Sequence, residues 1–282
     1  MEGSRTMDGI QLKKTLSEGG SVFGCMFSAI GTIRFRNSLA GSTLDYVVID
    51  SEHGSRDRKE IQELCRMLRD VDIMPIVRIP VPMAHWVAMA IDAGAGGVLV
   101  PYCETVEQVE ECVATAKWHP LKGEYLTRAV NEGIFPSERS REYLAARNAE
   151  NVVIIGIESQ PAYERLEAIL NVGDIDGIFV GPNDMTTSLG IPDEVTNPIY
   201  LDVLKGVIRQ SEAHGVPVMI HQQTVDTSKT AIELGARFVL HSTDARFMQI
   251  AMQEQFAELR ELSKKVTGKG EAAEATDTVE TV

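Results

Sequence analysis

Two acidic side chains follow apolar segments in the second half of the sequence. Glu158 lies near the end of VVIIGIES (152–159), and Asp184 comes soon after GIFVG (177–181). Carboxylate oxygens are ligands that Mg²⁺ and Mn²⁺ prefer, with the remaining positions open to water and substrate oxygens. The pair therefore predicts a divalent-cation site for Mg²⁺ or Mn²⁺, with Co²⁺ and Zn²⁺ as further options. The alternative is that the two carboxylates cap the helices that follow, as Asp184 would do alone.

The first half of the sequence contributes a basic residue and a histidine. Arg78 stands in the apolar segment IMPIVRIP (73–80), where burying a guanidinium without an anion is costly. It is predicted either to face an anionic substrate or to form a structural ion pair with Asp50 or Glu52. His53 follows Asp50 by three residues, close enough for a carboxylate to orient the ring as a general base. The alternative for this histidine is an ordinary surface position.

Two further histidines and one aspartate extend the candidate set. Asp92 stands at the start of the turn sequence DAGAGG and is either a partner of His53 or a cap of that turn. His221 and His241 lie at the ends of two later apolar segments. Each is predicted to lie at the pocket rim, either in contact with metal or substrate or, as the favoured interpretation, packed beneath the loops.

The turn before Asp184 offers backbone donors to a substrate. Gly181 and Pro182 would bring the backbone N–H groups of Asn183 and Asp184 to the same place as the carboxylates. Successive N–H groups in such a turn bind anions. A substrate carboxylate is the expected ligand of this turn.

Eight short apolar runs alternate with segments of helical period. The strands are predicted at 22–30, 46–50, 73–80, 96–101, 152–159, 177–181, 216–221 and 238–242. The helices are predicted at 56–69, 106–117, 162–170, 200–214, 225–234 and 245–264. Runs that are apolar at nearly every position are typical of parallel strands buried on both faces. The alternation predicts an α/β fold, a (β/α)8 TIM barrel, and the absence of G-x-G-x-x-G after the first strand argues against a dinucleotide-binding sheet.

The predicted barrel explains where the polar candidates fall. Reactive groups of a β/α barrel lie at the carboxyl ends of its strands, on the loops that lead into the helices. The candidates Asp50, Glu52, His53, Arg78 and Glu158 all stand at or just after such ends, whereas the other strand ends show no comparable cluster. This one-sided distribution predicts an active site at the barrel mouth.

Two regions depart from the regular alternation. The segment 119–150 begins with a run rich in turn formers, HPLKGEYLTRAVNEGIFP, and continues as a predicted helix, so it is expected to act as a lid or subunit contact. Residues 1–266 are predicted to form a single barrel domain. Residues 267–282 form an acidic segment poor in bulky apolar residues, which is expected to be disordered.

The composition argues against several kinds of binding partner. The net charge of −14, without any basic run, argues against nucleic-acid and anionic-membrane partners and leaves small molecules as the expected ones. The four cysteines lack paired spacing, so they are expected to be reduced. With no signal-peptide core and no long apolar stretch, we expect a cytoplasmic protein.

Five consecutive motifs carry a resemblance to a known family. They are YVVIDSEHG (46–54), PIVRIP (75–80), DAGAGGVLVP (92–101), IGIES (155–159) and DGIFVGPNDMTTSLG (176–190). The sequence resembles the HpcH/HpaI family of class II, metal-dependent pyruvate aldolases, whose type member cleaves 4-hydroxy-2-oxoheptanedioate. The resemblance runs from about Val22 to about Gln249 and implies a TIM barrel of the phosphoenolpyruvate/pyruvate-binding superfamily.

The resemblance also implies a reaction, the reversible cleavage of a 4-hydroxy-2-oxo acid to pyruvate and an aldehyde. Glu158 and Asp184 would hold the metal with the pyruvate enolate bound to it, and the backbone after Gly181 would hold the pyruvate carboxylate. Arg78 would stabilise the enolate. His53, oriented by Asp50 or Asp92, would move the proton of the aldol hydroxyl. Glu52 would hold metal-bound water.

Some segments depart from the family pattern. They are LKGEYLTRAV at 121–130, His221, and the pair His241-Ser242 where the family commonly has a small glycine turn. The departures affect the predicted substrate more than the chemistry, and they keep oxaloacetate decarboxylation open. An acyl-CoA lyase of the malyl-CoA or citramalyl-CoA type is a further alternative, and a non-catalytic binding barrel is the least favoured. The family implies a homo-oligomer, a hexamer built as a trimer of dimers, with 245–264 a candidate contact between subunits.

Overall fold

The computed structural model describes residues 7–268, and eight parallel strands within this range form a closed barrel. The strands are β1 (Val22–Phe27), β2 (Tyr46–Asp50), β3 (Met74–Arg78), β4 (Gly97–Val100), β5 (Val152–Gly156), β6 (Gly177–Val180), β7 (Val218–Gln222) and β8 (Phe238–Thr243). Each strand pairs with the next along the chain, and β8 pairs with β1 to close the barrel. The predicted (β/α)8 barrel is confirmed.

Helices lie between the strands and around the barrel. They are α1 (Gly9–Ser17), α2 (Arg36–Leu39), α3 (Arg58–Arg69), α4 (Ala84–Asp92), α5 (Val106–Lys117), α6 (Gly123–Glu132), α7 (Glu138–Arg147), α8 (Gln160–Glu164), α9 (Leu166–Leu170), α10 (Pro182–Ser188), α11 (Pro198–Ala213), α12 (Val225–Glu233) and α13 (Asp244–Thr267). Within residues 7–268, no helix has the length and apolar character needed to cross a membrane.

Several elements in the structure differ from those predicted from the sequence. The run at 119–136 is not only turns, because α6 forms within it and ends at Gly133, whose φ of 67° suits glycine. The predicted helix at 162–170 is two short helices, α8 and α9, that meet at Arg165. The tail predicted from Thr267 lies outside the described residues, except that Thr267 and Gly268 end α13.

The strands divide their side chains between two apolar layers. Val48, Ile76, Ile154 and Phe179 belong to a cluster that fills the barrel, while alternate residues such as Val77 belong to the layer beneath the helices. Successive strand residues point to opposite faces, so the next inward positions on β2 and β3 are those of their last residues, Asp50 and Arg78. The alternation thus places polar side chains on top of an apolar barrel interior.

Asp244, at the start of α13, holds the loop that follows β1. Its carboxylate accepts hydrogen bonds from the backbone N–H groups of Ser28 (3.0 Å), Ala29 (3.1 Å) and Ile30 (2.6 Å), and the residue is buried. Asp244→Ala leaves these donors unpaired, so we expect a loss of about 2–4 kcal/mol in the free energy of unfolding, measured with urea. Asp226→Ala is the control, since that side chain is 93% exposed and pairs only with Lys229. Equal effects of the two substitutions would contradict this account.

Helix α13 presents a long apolar face to solvent. Asp244 is its only buried residue among those described. The exposed apolar side chains of the helix are Phe247, Met248, Met252, Phe256, Leu259, Leu262 and Val266. A face of this length without cover in a single chain is typical of a contact with another chain.

Candidate active site

Arg78 is held by two carboxylates at the barrel mouth. Asp50 and Arg78 are partners in the register of β2 and β3. Arg78 donates from Nε to Asp50 Oδ1 (2.9 Å) and from Nη2 to Asp50 Oδ2 (2.7 Å), and its Nη1 lies 3.0 Å from Glu52 Oε2. The structural ion pair considered for Arg78 is therefore present, with both carboxylates. Because Arg78 is only 6% exposed, this clamp fixes the guanidinium in one orientation.

The two carboxylates around Arg78 differ in acidity. Burial alone would raise the pKa of Asp50, but the hydrogen bonds and charge of Arg78 outweigh it and hold that pKa below its usual value. Burial raises the pKa of Glu52 above its usual value, because the opposing charges of Arg78 and His53 only partly compensate. Asp50 is thus the firm anionic partner of Arg78, while Glu52 is the more easily protonated one.

Glu158 is a buried carboxylate with one oxygen left unpaired. The residue is 1% exposed, and its Oε2 accepts a hydrogen bond from the backbone N–H of Tyr102 at 2.7 Å. Oε1 has no hydrogen-bond partner among the described residues. Burial raises the pKa of Glu158 to about 8, with the nearby carboxylates of Glu52 and Asp184 acting in the same direction. Such a group needs a cation or a proton.

Glycines make room for the Glu158 carboxylate. A Cβ atom at Gly156 would overlap Oε2, and one at Gly181 would overlap Oε1. Tyr102 adopts a left-handed backbone conformation (φ 48°), which is uncommon for a residue with a side chain and brings its N–H to the carboxylate. Sequence reasoning assigned no role to Gly156 or Tyr102, and the only signal for them was position, Gly156 at the end of β5 and Tyr102 two residues after β4.

Asp184 lies in the first turn of α10, close enough to Glu158 for its charge to raise the Glu158 pKa. No group of three or more potential metal-ligating side chains is found between residues 7 and 268. If Glu158 and Asp184 bind a cation, the other coordination positions are left to water and substrate. The unpaired oxygen of Glu158, the glycine cradle and the all-oxygen donor set fit a hard divalent cation.

His53 stands at the rim of the mouth and is largely exposed. Its side chain is 58% exposed, and its Nε2 lies 3.7 Å from Glu52 Oε2. Asp50 does not pair with His53, because both of its oxygens bind Arg78. The carboxylate placed to orient His53 is Glu52, in place of the two candidates considered from the sequence.

The prediction that Asp92 pairs with His53 is wrong within this chain. Asp92 is the last residue of α4, which runs from the carboxyl end of β3 back towards the amino ends of the strands. Its Oδ1 lies 2.9 Å from Nε2 of the buried His119, so it belongs to a contact at the opposite end of the barrel. The direction of the chain in a β/α unit explains the error. The carboxyl end of each helix lies near the amino ends of the strands, on the side of the barrel opposite the mouth.

His221 and His241 point to different layers. His221 follows Met219 of the barrel-filling cluster by two positions and therefore faces inward. His241 faces outward, where its Nδ1 lies 2.8 Å from Ser228 Oγ and its ring packs on Phe247. These contacts agree with the interpretation favoured for His241 from the sequence, packing beneath the loops.

Gly181 is the residue before α10, and Pro182 begins the helix. N–H groups in the first turn of a helix lack partners within the helix, and those of Asn183 and Asp184 lie in this turn. The binding of a substrate carboxylate by these two N–H groups stays a prediction.

The clamp around Arg78 has a large expected effect on stability. Arg78→Ala leaves two carboxylates at the buried end of the barrel without their cation, so we expect a loss of about 3–5 kcal/mol in the free energy of unfolding. Arg141→Ala is the matched control, because Arg141 and its partner Glu138 are mostly exposed and such pairs contribute less than about 1 kcal/mol. Urea unfolding at neutral pH measures both, and a loss for Arg78→Ala no larger than that of the control would contradict the clamp.

Comparisons with known proteins place the chain in a family. The profile of the HpcH/HpaI aldolase/citrate lyase family matches residues 25–249. A hydroxypyruvate/pyruvate aldolase from Roseobacter denitrificans is 31% identical over 82% of this chain and 90% of the relative. A 2-keto-3-deoxy-L-rhamnonate aldolase from Klebsiella pneumoniae is 28% identical over 87% of this chain and 91% of the relative.

A solved structure agrees with this placement. The crystal structure of an HpcH/HpaI aldolase from Desulfitobacterium hafniense has a TM-score of 0.76 and 27% identity, over 89% of this chain and 96% of that one. The matched range 25–249 includes the arginine clamp and both carboxylates of the mouth. The chain belongs to the HpcH/HpaI aldolase/citrate lyase family.

Proposed function

We infer that this protein is a carbon–carbon lyase, a metal-dependent aldolase that reversibly cleaves a 4-hydroxy-2-oxo acid to pyruvate and an aldehyde. The observation that carries the proposal is the buried Glu158, with one oxygen fixed by a backbone N–H and the other unpaired, at the mouth that also holds Arg78. The relatives named as aldolases of 2-oxo acids support the same reaction class.

Glu158 and Asp184 would hold the cation. When bound, a divalent metal ion supplies Lewis-acid stabilisation of the negative charge that develops on the substrate oxygens. Two carboxylates without nitrogen or sulfur ligands favour Mg²⁺ or Mn²⁺. Co²⁺ and Zn²⁺ are the further ions to test.

Arg78 is placed to stabilise the enolate of pyruvate. A guanidinium has five N–H donors. Nε and one N–H of Nη2 bind Asp50, and one N–H of Nη1 faces Glu52. The second N–H of Nη2 faces Met26 Sδ at 3.7 Å, which leaves the second N–H of Nη1 for a substrate oxygen. Because the clamp already fixes the group, it reaches the developing charge without reorganisation.

His53 is the proposed base. In the cleavage direction it removes the proton from the C4 hydroxyl, the C3–C4 bond breaks, and its electron pair forms the enolate while C4 becomes the aldehyde carbon. Protonation of the enolate at C3 then gives pyruvate. Glu52, at 3.7 Å from the ring, would orient His53 and stabilise it when it carries the proton.

Pyruvate release tests the proposal directly. Purified protein is supplied with 4-hydroxy-2-oxo acids in the presence of Mn²⁺, Mg²⁺ or a chelator, and lactate dehydrogenase with NADH reports the pyruvate. We expect pyruvate formation that stops with the chelator. Absence of pyruvate from every substrate, with either metal, would contradict the proposal.

Oxaloacetate decarboxylation is the second candidate, because Arg78 and the carboxylates Glu158 and Asp184 would serve it without any role for His53. Loss of CO₂ from oxaloacetate forms the same enolate but involves no hydroxyl proton. His53→Ala is therefore expected to lower aldol cleavage about 10²-fold while sparing decarboxylation. Equal losses in both reactions would show that His53 does not act on the hydroxyl.

We also propose a homo-oligomer, a trimer of dimers, that works in the cytoplasm. The exposed apolar face of α13 supports assembly, and the four buried free cysteines are compatible with a reducing compartment. Light scattering during size-exclusion chromatography tests assembly. Phe256→Glu, in the middle of the exposed face, is expected to reduce the mass of the particle.

A further inference from the structure

Arg56 is a buried arginine beside the barrel mouth that no step of the proposed reaction uses. It stands in the loop between β2 and α3, and its side chain is 5% exposed. The sequence predicts it as the first residue of the helix at 56–69, but α3 begins at Arg58, with Asp57 as its N-cap. The side chain of Arg56 turns back from the start of the helix towards the ends of the strands.

Three backbone carbonyl groups at the carboxyl ends of β1 and β2 bind this guanidinium. Nε donates to the carbonyl oxygen of Asp50 (3.0 Å), Nη1 to that of Ile30 (2.8 Å) and Nη2 to that of Phe27 (3.2 Å). Nη1 also pairs with the carboxylate of Glu60. These contacts offset the cost of burying the charge. The planar group makes all of them in one fixed position.

The loop between β2 and α3 is anchored on the amino side of His53. The N–H and hydroxyl groups of Ser51 both bind the carbonyl oxygen of Arg78, at 3.1 Å and 2.6 Å. The N–H of Glu52 binds Asp50 Oδ1 at 3.0 Å. These contacts fix the chain as far as Glu52, beside the arginine clamp.

On the carboxyl side of His53, the anchor is Arg56. Residues 54–55 form no hydrogen bond or ion pair in the part of the chain that the structure describes. The contact of Arg56 Nε with the carbonyl oxygen of Asp50 therefore closes the loop. The ring of His53 is 58% exposed, and its ion pair with Glu52 spans 3.7 Å. Because an exposed pair of this kind holds a side chain weakly, the position of His53 depends mainly on the closed loop.

The same side chain also holds the loop that follows β1. Its contacts with Phe27 and Ile30 fix the carbonyl groups of that loop, while Asp244 fixes its N–H groups from the other side. The β1 loop thus keeps one set of anchors if Arg56 is lost. The loop that carries His53 loses its closure.

We propose that Arg56 is a positioning residue that closes the loop between β2 and α3 and so holds His53 in reach of the C4 hydroxyl of the substrate. This inference rests on the proposed aldolase function, in which His53 removes that proton. Asp50 binds Arg56 through its backbone carbonyl and Arg78 through its side chain. The two arginines therefore act separately, one on the place of the base and the other on the enolate.

Two substitutions remove the closure. Arg56→Met keeps much of the apolar stem but has no donor for the three carbonyl groups. Arg56→Lys keeps the charge beside Glu60 but lacks the planar group that reaches both loops, and it carries the test if Arg56→Met does not fold. Arg58→Met is the matched control, because Arg58 is exposed and its Nη2 lies 2.8 Å from His85 Nε2.

The experiment measures kcat/KM for the 4-hydroxy-2-oxo acid that the unsubstituted protein cleaves fastest. With His53 present, Arg56→Met and Arg56→Lys are each expected to lower it about tenfold, because a misplaced catalytic group loses much of its effect. In His53→Ala, the same substitutions are expected to change it less than about twofold, because the residue that they position is absent. Arg58→Met is expected to stay within about twofold in both backgrounds.

Equal losses with and without His53 would overturn the inference, because a general effect on the fold lowers cleavage in both backgrounds. An unchanged kcat/KM in a folded Arg56 variant would remove the positioning role and leave the aldolase proposal standing. If the unsubstituted protein releases no pyruvate from any 4-hydroxy-2-oxo acid, the proposed function fails and the inference falls with it.

Discussion

Glu158→Gln is expected to abolish Mn²⁺ binding and to lower pyruvate-forming cleavage roughly 10³-fold. The amide still accepts the hydrogen bond from Tyr102 N–H and fits between Gly156 and Gly181, so the fold is retained. What is lost is the negative charge of the unpaired oxygen, on which cation binding depends. Calorimetric titration with Mn²⁺ measures the first effect, and the coupled pyruvate assay measures the second.

Glu167→Gln is the matched control for this substitution. The Glu167 side chain is 65% exposed and pairs with His214 on the outside of the barrel. We expect Mn²⁺ binding and cleavage of this variant to match those of the unsubstituted protein. Full Mn²⁺ affinity in Glu158→Gln would contradict the assignment of Glu158 as a ligand.

The metal-free protein is expected to lose stability as the pH rises from about 6.5 to about 8. The Glu158 carboxyl keeps its proton up to a pKa of about 8 in the folded state, whereas in the unfolded chain it ionises near its ordinary value of 4.5. In this window the folded state binds more protons than the unfolded state, so the free energy of unfolding falls with pH by up to about 1.4 kcal/mol per pH unit.

His221 sets the lower limit of this pH range. Its pKa is lowered to about 4 from the ordinary value of 6.5. Between these two values the unfolded chain binds the extra proton, so His221 makes stability rise with pH and offsets the effect of Glu158. Above pH 6.5 that opposing contribution is absent.

Thermal or urea unfolding in a chelating buffer measures the slope between pH 6.5 and pH 8. Glu158→Gln is expected to flatten the slope contributed by this residue. Saturating Mn²⁺ is expected to reverse it, because the cation binds the ionised carboxylate of the folded state alone. The same fall in stability in Glu158→Gln would assign the effect to another group.

Features that depend on apolar runs and on where those runs end could be predicted from the sequence. The range of β2, 46–50, and the range of α5, 106–117, were predicted without error, since both are bounded by clear changes in pattern and α5 by a capping box of Thr105 and Gln108. Arg78, at the end of β3, and Glu158, two residues after β5, were placed at the barrel mouth by the same reasoning, because the carboxyl ends of the strands and the loops after them form the mouth of a β/α barrel.

Features that depend on packing across the chain were not accessible from the sequence. The choice of Glu52 over Asp50 beside His53 follows from Arg78, which binds both Asp50 oxygens from a separate strand. The left-handed conformation of Tyr102 depends on its contact with Glu158, 56 residues away along the chain. Neither contact leaves a periodic pattern in the sequence.

The orientations of His221 and His241 could be predicted from the sequence only in part. Alternation along β7 places His221 on the same face as Met219, and the same rule separates His241 from the inward-facing Leu240. The sequence analysis nevertheless treated both histidines alike, with packing beneath the loops favoured over a contact with metal or substrate, because it used their position at a strand end and not the alternation along the strand. The register shift against β1 further changes the geometry at Ser242.

Exchange of the methyl hydrogens of pyruvate with solvent in D₂O tests the central claim most directly, since it requires the enolate but no aldehyde. Mass spectrometry of pyruvate incubated with the protein measures the deuterium incorporated. The proposed metal site of Glu158 and Asp184, with Arg78 beside it, predicts rapid exchange with Mn²⁺, none with a chelator, and none in Glu158→Gln. Absence of exchange in the unsubstituted protein with Mn²⁺, or exchange that persists in Glu158→Gln, would contradict it.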